Sequence, residues 1–420
     1  MESRDVRARA GVSGAYFVQG LCFAGLLTQV PALKDKFGFT EDDLTLVLLA
    51  VPVIAGLGSV LAGYLAPRLG SALVLRVSGP LVGIMMTVVG LVPTRLGLYL
   101  AVGAFGLFLG AVDASMNMQG VAVQRRYGRS LLASFHGWWS LAGILGALAT
   151  AGANKIDLPL PVALGGIALL GIAVALSVGP LLLRHAEEGA ATPGAEEAAP
   201  ASGGAAADRT GPRIPWGPIV LVGLAVMLMY ISDSATSNWG AVYLHDGLHS
   251  SKSVAALGLG AYLTCQVLGR AAADRLVRRF GPVPVVAVGG LVGATGMVVV
   301  ATAPWPVLGV LGFGVVGAGL CVVVPQSFSA AGALDPTGSG VAVARVNLFN
   351  YVGFVVGAAL IGAVANGAGL RWAFAVPAAL ALGVVALAPS FGVAGRGQAG
   401  SGDSGAVLDD TAAARDIAAR

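Results

Sequence analysis

GLYLAVGAFGLFLGAVDASMNMQGVAVQRR, Gly97 to Arg126, decides what kind of molecule this is. From Leu96 to Val123 the residues are apolar, small or glycine, apart from one short polar passage around Asp113. A run of about 20 apolar residues crosses a bilayer as a helix, and this one ends on a pair of arginines, as a helix leaving the membrane would. Asp113 lies about 18 Å from Arg125 at 1.5 Å per residue, near the middle of a hydrocarbon core about 30 Å thick. A charge there costs roughly 3 kcal/mol on insertion scales, so acids inside spans mark pathways and relays more often than scaffolding.

The rest of the chain repeats the pattern. Of 420 residues, 56% are hydrophobic and only 11% charged, where a soluble domain carries about 25% charged residues. Hydropathy marks about twelve spans. Six fall near 14–33, 44–66, 72–92, 97–123, 131–153 and 160–183, and six near 216–244, 254–273, 283–303, 306–328, 338–364 and 370–393. The 63 glycines are aperiodic and suit close helix packing in lipid. The expected organisation is a cytoplasmic amino terminus (1–13), a six-helix bundle (14–183), a flexible cytoplasmic linker rich in Ala, Gly, Pro and Glu (184–215), a second six-helix bundle (216–393) and a disordered tail (394–420).

Arginine sets the orientation. With the amino terminus inside, the inner loops collect Arg4, Arg7, Arg9, Arg68, Arg125, Arg126, Arg129, Arg275, Arg278 and Arg279, against Lys34, Lys36, Arg95, Lys155, Lys252 and Arg371 outside. Both termini are therefore expected in the cytoplasm, in the plasma (inner) membrane. The net charge of +4 is mostly this bias and implies no nucleic-acid partner. Cys22, Cys265 and Cys321, dispersed through apolar runs, form no disulfide framework.

Several enzyme and cofactor motifs fail in context. GFGVVG, Gly312 to Gly317, has the GxGxxG spacing, with Asp335 at a plausible distance, yet it lies inside an apolar run with no strand before it. HDGLH, His245 to His249, puts Gly247 and a short connection where a zinc-binding helix would be. None of the four lysines follows a glycine, so no phosphate loop is present. No cofactor or metal is expected, and no serine elbow or metal quartet supports an intramembrane enzyme.

The two halves echo each other. ALKDKFGFTEDDLTL follows the first span and YLHDGLHSSKSVAAL the seventh; GYLAPRLG follows the second and GRAAADRLVRRFG the eighth. Six plus six spans around a central linker is the repeat of many secondary transporters, whose substrates bind at mid-depth between the halves. GRAAADRLVRRFG resembles the signature turn of the major facilitator superfamily. MNMQGVAVQRRYGRSLLASFHGWWSLAGILGA and DSATSNWGAVYL resemble its fucose-permease-like and uncharacterised inner-membrane branch. The resemblance, from about Gly14 to Val393, implies an all-α membrane protein with two pseudo-symmetric six-helix bundles, and transport by alternating access. Two departures stand out: Pro67 occupies the place of the family's usual Asp in the first-half turn, and the first span carries no acid.

Helical spacing selects the candidate site. Asp113 shares a face with Gly106, Gly110, Asn117 and Gly120. Counting equal steps from the turn into the fifth span puts Asn117 level with His136, and Asp113 level with Trp139 and Ser140. Asp233 is equally deep in the seventh span, with Tyr230 and Ser237 on its face and Trp239 nearby. Asp113 and Asp233, with His136 as a neighbour, are the proton-coupling candidates. Asn117, Trp139, Ser140, Tyr230, Ser237, Trp239, Asn347, Asn350 and Arg345 are candidates to line the substrate cavity. Arg345 is also a possible countercharge, although it lies on roughly the opposite face of the eleventh span from Asn347 and Asn350, and the sequence leaves open which face turns inward. Arg270, Asp274 and Arg275 are expected as gating contacts in the signature turn.

These residues describe a secondary active transporter, not an enzyme, that moves a small solute and a proton across the bilayer as a monomer. The fifth span, Leu131 to Ala153, contains no proline and so lacks the GPxxG-type element in which the family's drug-proton antiporters resemble one another; the resemblance therefore implies uptake over proton-antiport efflux of a drug or natural product. A transporter-like sensor is the alternative from another class.

Overall fold

The computed structural model describes residues 3–39, 41–189 and 214–392, and among these there is no strand. Twelve long helices carry the fold. In the first half they are α1 (Ser3–Leu27), α2 (Glu41–Leu69), α3 (Ser71–Leu91), α4 (Arg95–Tyr127), α5 (Leu132–Lys155) and α6 (Leu160–Val178). In the second they are α7 (Trp216–Gly247), α8 (Lys252–Phe280), α9 (Pro282–Thr302), α10 (Pro306–Leu334), α11 (Val341–Ala368) and α12 (Leu370–Leu387). Among the described residues eleven helices are long and apolar enough to cross a membrane. The remaining long one, α8, has 29 residues but carries Gln266, Arg270, Asp274, Arg275, Arg278 and Arg279 on its second half. This is a multi-pass, all-α membrane protein.

The repeat is visible in the packing. In the first half α1 lies against α5, α2 against α4 and α3 against α6; in the second, α7 lies against α11, α8 against α10 and α9 against α12. Lipid offers no hydrophobic drive for helices to associate, so they must gain by close van der Waals fit. Glycine supplies it at equivalent places. A Cβ on Gly110 would collide with the carbonyl oxygen of Ala55, joining α4 to α2, and one on Gly317 would collide with that of Tyr262, joining α10 to α8. Gly20 and Trp139 join α1 to α5 in the same way. Gly312 and Gly317 of the GxGxxG run thus sit against neighbouring helices, Gly312 on α9 beside Gly296 and Val300.

Three boundaries differ from the sequence expectation. First, α1 begins at Ser3 instead of near residue 14, because its early charges find partners: Arg126 Nε donates to Asp5 Oδ1 at 2.6 Å, and Arg4 donates to both Glu187 oxygens at 2.9 and 2.6 Å. Second, the start of the expected linker forms the short helix His185–Gly189 and packs on the first half. The remainder of the linker and the tail lie outside the described residues. Third, GRAAADR is the interior of α8, not a turn; the chain turns at Gly281, at φ 82°, and equivalently at Gly70, at φ 84°, before α9 and α3. These positive angles suit glycine, which has no Cβ to clash.

α7 is not a uniform helix. Ala235–Trp239 and Tyr243–Gly247 are wide π turns, a rare form concentrated at functional sites. HDGLH accordingly falls in one of these turns and the loop after it, where His245 Nδ1 meets the carbonyl of Ser250 at 2.5 Å.

Candidate functional site

Asp113 on α4 reaches across to the other half of the molecule. Its Oδ2 accepts from Asn347 Nδ2 at 3.0 Å and from the Tyr351 hydroxyl at 2.7 Å, both on α11. Asn117, one turn along α4, donates to Oδ1 at 3.4 Å and to the Asp113 carbonyl at 2.8 Å, and accepts from the Tyr16 hydroxyl of α1 at 2.6 Å. Asn347 also donates to Ser59 of α2 at 3.1 Å and accepts from Asn350 at 2.7 Å. Helices α1, α2, α4 and α11 therefore converge on one half-buried carboxylate, and all its donors are neutral. Asn347 and Asn350 are the inward face of α11, whereas Arg345 is exposed and takes no part. This corrects the expectation of Arg345 as a countercharge to the mid-span acids.

His136 is not beside Asp113. Its ring lies edge-on to Tyr16, with centroids 5.0 Å apart, and parallel to Phe328 at 6.0 Å, and its Nε2 is buried without a partner. The equal-step count across the α4–α5 turn fails because α5 packs chiefly on α1, which places Tyr16 and Gln19 between the two helices. Trp139 consequently donates its indole N–H to Gln19, and Ser140 accepts from Arg270 of α8.

The second acid has a separate setting. Asp233, half-buried on α7, accepts from the Tyr262 hydroxyl of α8, and Gln266 donates to that same hydroxyl at 3.0 Å. Tyr230 stands within electrostatic reach of both Asp113 and Asp233. Ser237 is half-buried within the first wide turn, and the Trp239 indole donates to the carbonyl of Ala358 on α11 at 3.3 Å, which ties this ring to the scaffold.

At the arginine-rich end the halves are joined. Asp274 accepts from Ser130 Oγ at 2.7 Å, Ala133 N at 3.3 Å and Ser134 N at 2.8 Å, so a carboxylate from α8 caps the first turn of α5. The free N–H groups and positive end of a helix favour an anion there. Arg278 donates to the Ser130 carbonyl at 3.2 Å, Gln124 to Ser329 at 2.5 Å, and Arg125 to the carbonyls of Gly332 and, at 3.2 Å, Asp335. Arg275 is exposed and outside this set. On the same end, but within the first half, Glu188 accepts from Gln119 at 2.8 Å and from Ser71 N and Ala72 N at 3.3 Å each. Burial pushes the Glu188 carboxyl up, while the Arg4 guanidinium holds the neighbouring Glu187 down at about 2.

Tyr16, Gln19, Ser59, Tyr262, Gln266 and Tyr351 were not singled out from the sequence. One signal was available for part of this group: Tyr262, Gln266, Arg270 and Asp274 recur every four residues and so form one stripe on α8.

Residues 222–401 match the model of the Major Facilitator Superfamily. An uncharacterized MFS-type transporter of Yersinia pestis is 29% identical over 376 residues, covering 89% of this chain and 93% of that protein. Among solved structures, the transporter FucP in its outward conformation is similar, with a TM-score of 0.75 at 14% identity over 92% of this chain and 99% of that one. The xylose transporter XylE has a TM-score of 0.69 at 13% identity, over 91% and 95%. The second half of the chain thus matches the Major Facilitator Superfamily model, and nearly the whole chain is similar to transporters described as of that type.

Proposed function

We propose that this protein is a proton-coupled solute transporter of the plasma membrane, working as a monomer with both termini in the cytoplasm and serving uptake. Asp113 carries the reading: it lies at mid-span, is half-buried, and bonds the two halves through Asn347 and Tyr351. Both donors suit an ionised carboxylate, whereas a protonated one gives up part of its acceptor capacity and gains a donor. Gain or loss of one proton therefore changes the bond between halves, as coupling by alternating access requires. The described bonds between halves lie between this level and the arginine-rich ends, so the structure corresponds to a state closed on the cytoplasmic side. FucP and XylE, similar in fold, are a fucose:proton and a xylose:proton symporter.

Asp113→Asn keeps the shape and fixes the group neutral. In vesicles at matched expression, the variant should lose pH-gradient-driven accumulation, by about tenfold or more, while retaining counterflow exchange. Unchanged accumulation would remove Asp113 as the coupling group and leave Asp233 as the candidate.

A further inference from the structure

The polar stripe of α8 runs from the second mid-span acid to the cytoplasmic seal. Tyr262 holds Asp233, Gln266 holds Tyr262, Arg270 holds Ser140 of α5, and Asp274 caps α5. The stripe is interrupted between Gln266 and Arg270. Arg270 is 5% exposed, its Nε has no partner, and among the described residues no carboxylate forms an ion pair with it. A buried guanidinium satisfied by one serine hydroxyl is a poor arrangement, because an interior of low dielectric favours a charged partner.

Arg270 lies one turn along the stripe from Gln266, and several described titratable groups are within its electrostatic reach. These are His136 of α5, Asp233 and Tyr230 of α7, Cys321 of α10 and, on its own helix, Tyr262, while Asp274 is committed to the α5 cap. Asp233 is thus the one carboxylate of this set free of a helix cap. We propose that Arg270 is a switch between two partners: it holds Ser140 and closes the α5–α8 seam while Asp233 is neutral, and it turns toward Asp233 and releases the seam when that carboxylate is ionised. Arg270 is then a positioning residue, and Asp233 sets the state of the gate while Asp113 carries the transported proton. The proposal rests on the alternating-access reading, but not on proton coupling at Asp113.

Spin labels at Arg129→Cys and Arg275→Cys, both exposed at the arginine-rich end, with Cys265→Ala, report the width of this seam in purified protein in nanodiscs at pH 8. Asp233→Asn should raise the ratio of short to long distances at least about fivefold, within the usual range of coupling between sites. Ser140→Ala should lower it. In an Arg270→Gln background, Asp233→Asn should change nothing. An unchanged distribution in Asp233→Asn, or an equal shift with Arg270→Gln, overturns the switch. Should Arg270→Gln fail to fold, Arg270→Lys retains the charge and should preserve the Asp233→Asn shift; its loss in folded protein also overturns the proposal. No transport is measured, so failure of proton coupling in vesicles leaves this result unaffected.

Discussion

The two seams between the halves pair equivalent helices but close by different chemistry. At α5 and α8, Asp274 crosses from one half to cap the first turn of the other. At α2 and α11 the acid is local: Asp335, in the loop before α11, accepts from Gly340 N at 3.1 Å and from Ser339 and Thr337 and so ties that loop to itself. Position 67 of α2, which mirrors Asp274, is a proline inside the helix, and position 63, which mirrors Arg270, is a glycine where a Cβ would come within 2.8 Å of the Ala344 side chain. At the arginine-rich end one seam is held by a charge that crosses between the halves and the other by fit, its hydrogen bond from Asn347 to Ser59 lying deeper.

The largest effect should follow loss of the crossing charge. Asp274→Ala leaves the N–H groups of Ala133 and Ser134 without their acceptor, and caps of this kind are worth about 2 kcal/mol, roughly 30-fold in the closed-to-open ratio. Transport should slow strongly while substrate affinity changes little; binding abolished in folded protein would place Asp274 in the substrate site. Asp335→Ala sharpens the contrast. It should cost about 1 to 2 kcal/mol in thermal or denaturant stability, by leaving the loop donors of Thr337, Ser339 and Gly340 without their acceptor, yet leave the closed-to-open ratio within about twofold. An equal shift in that ratio for both variants would erase the distinction between the seams.

Gly63→Leu probes the seam held by fit. Added volume against Ala344 should cost about 1 kcal/mol of closure by overpacking, read as faster maleimide labelling of a cysteine placed at the inner end of α11. Smallest of all is Glu187→Gln, on the linker helix away from both seams. Glu187 is held at about 2, below its ordinary 4.5, by Arg4, so its contribution is complete above pH 4.5 and fades as pH falls toward 2. The pair is partly exposed, with 27% and 29% of the side-chain surfaces accessible, so the cost at pH 7 should be under about 1 kcal/mol. Wild type and variant should converge in stability as the pH approaches 2.

What the sequence revealed was governed by short-range rules. The spans, the internal repeat and the depth of Asp113 and Asp233 follow from hydropathy and helix rise, and Asn347 with Asn350 follows from helical spacing. What it hid depended on which helices become neighbours. Trp139 and Ser140 were set level with Asp113, and His136 with Asn117, because sequence adjacency stood in for spatial adjacency; the fold instead places α1 against α5 and brings Tyr351 from 238 residues away. The wide turns of α7 were hidden for a different reason. One extra residue per turn leaves composition unchanged, so Asn238, exposed at mid-span, had no signal of its own.

Consider finally where glycine meets backbone. Inside the halves, Gly20, Gly58, Gly110, Gly317 and Gly353 each press on a carbonyl group of a neighbouring helix. Between the halves, Gly56, Gly63, Gly332 and Gly340 meet side chains only. A carbonyl embedded in a helix cannot step aside, but the Leu348, Val121 and Met118 side chains that meet Gly56, Gly332 and Gly340 can change rotamer, whereas the Ala344 Cβ at Gly63 cannot. Alanine should therefore be tolerated at Gly56 and Gly332 on the seams and lost at Gly20, Gly58, Gly110, Gly317 and Gly353 inside the halves. Such a map of tolerance would trace the outline of the moving parts without any picture of them in motion.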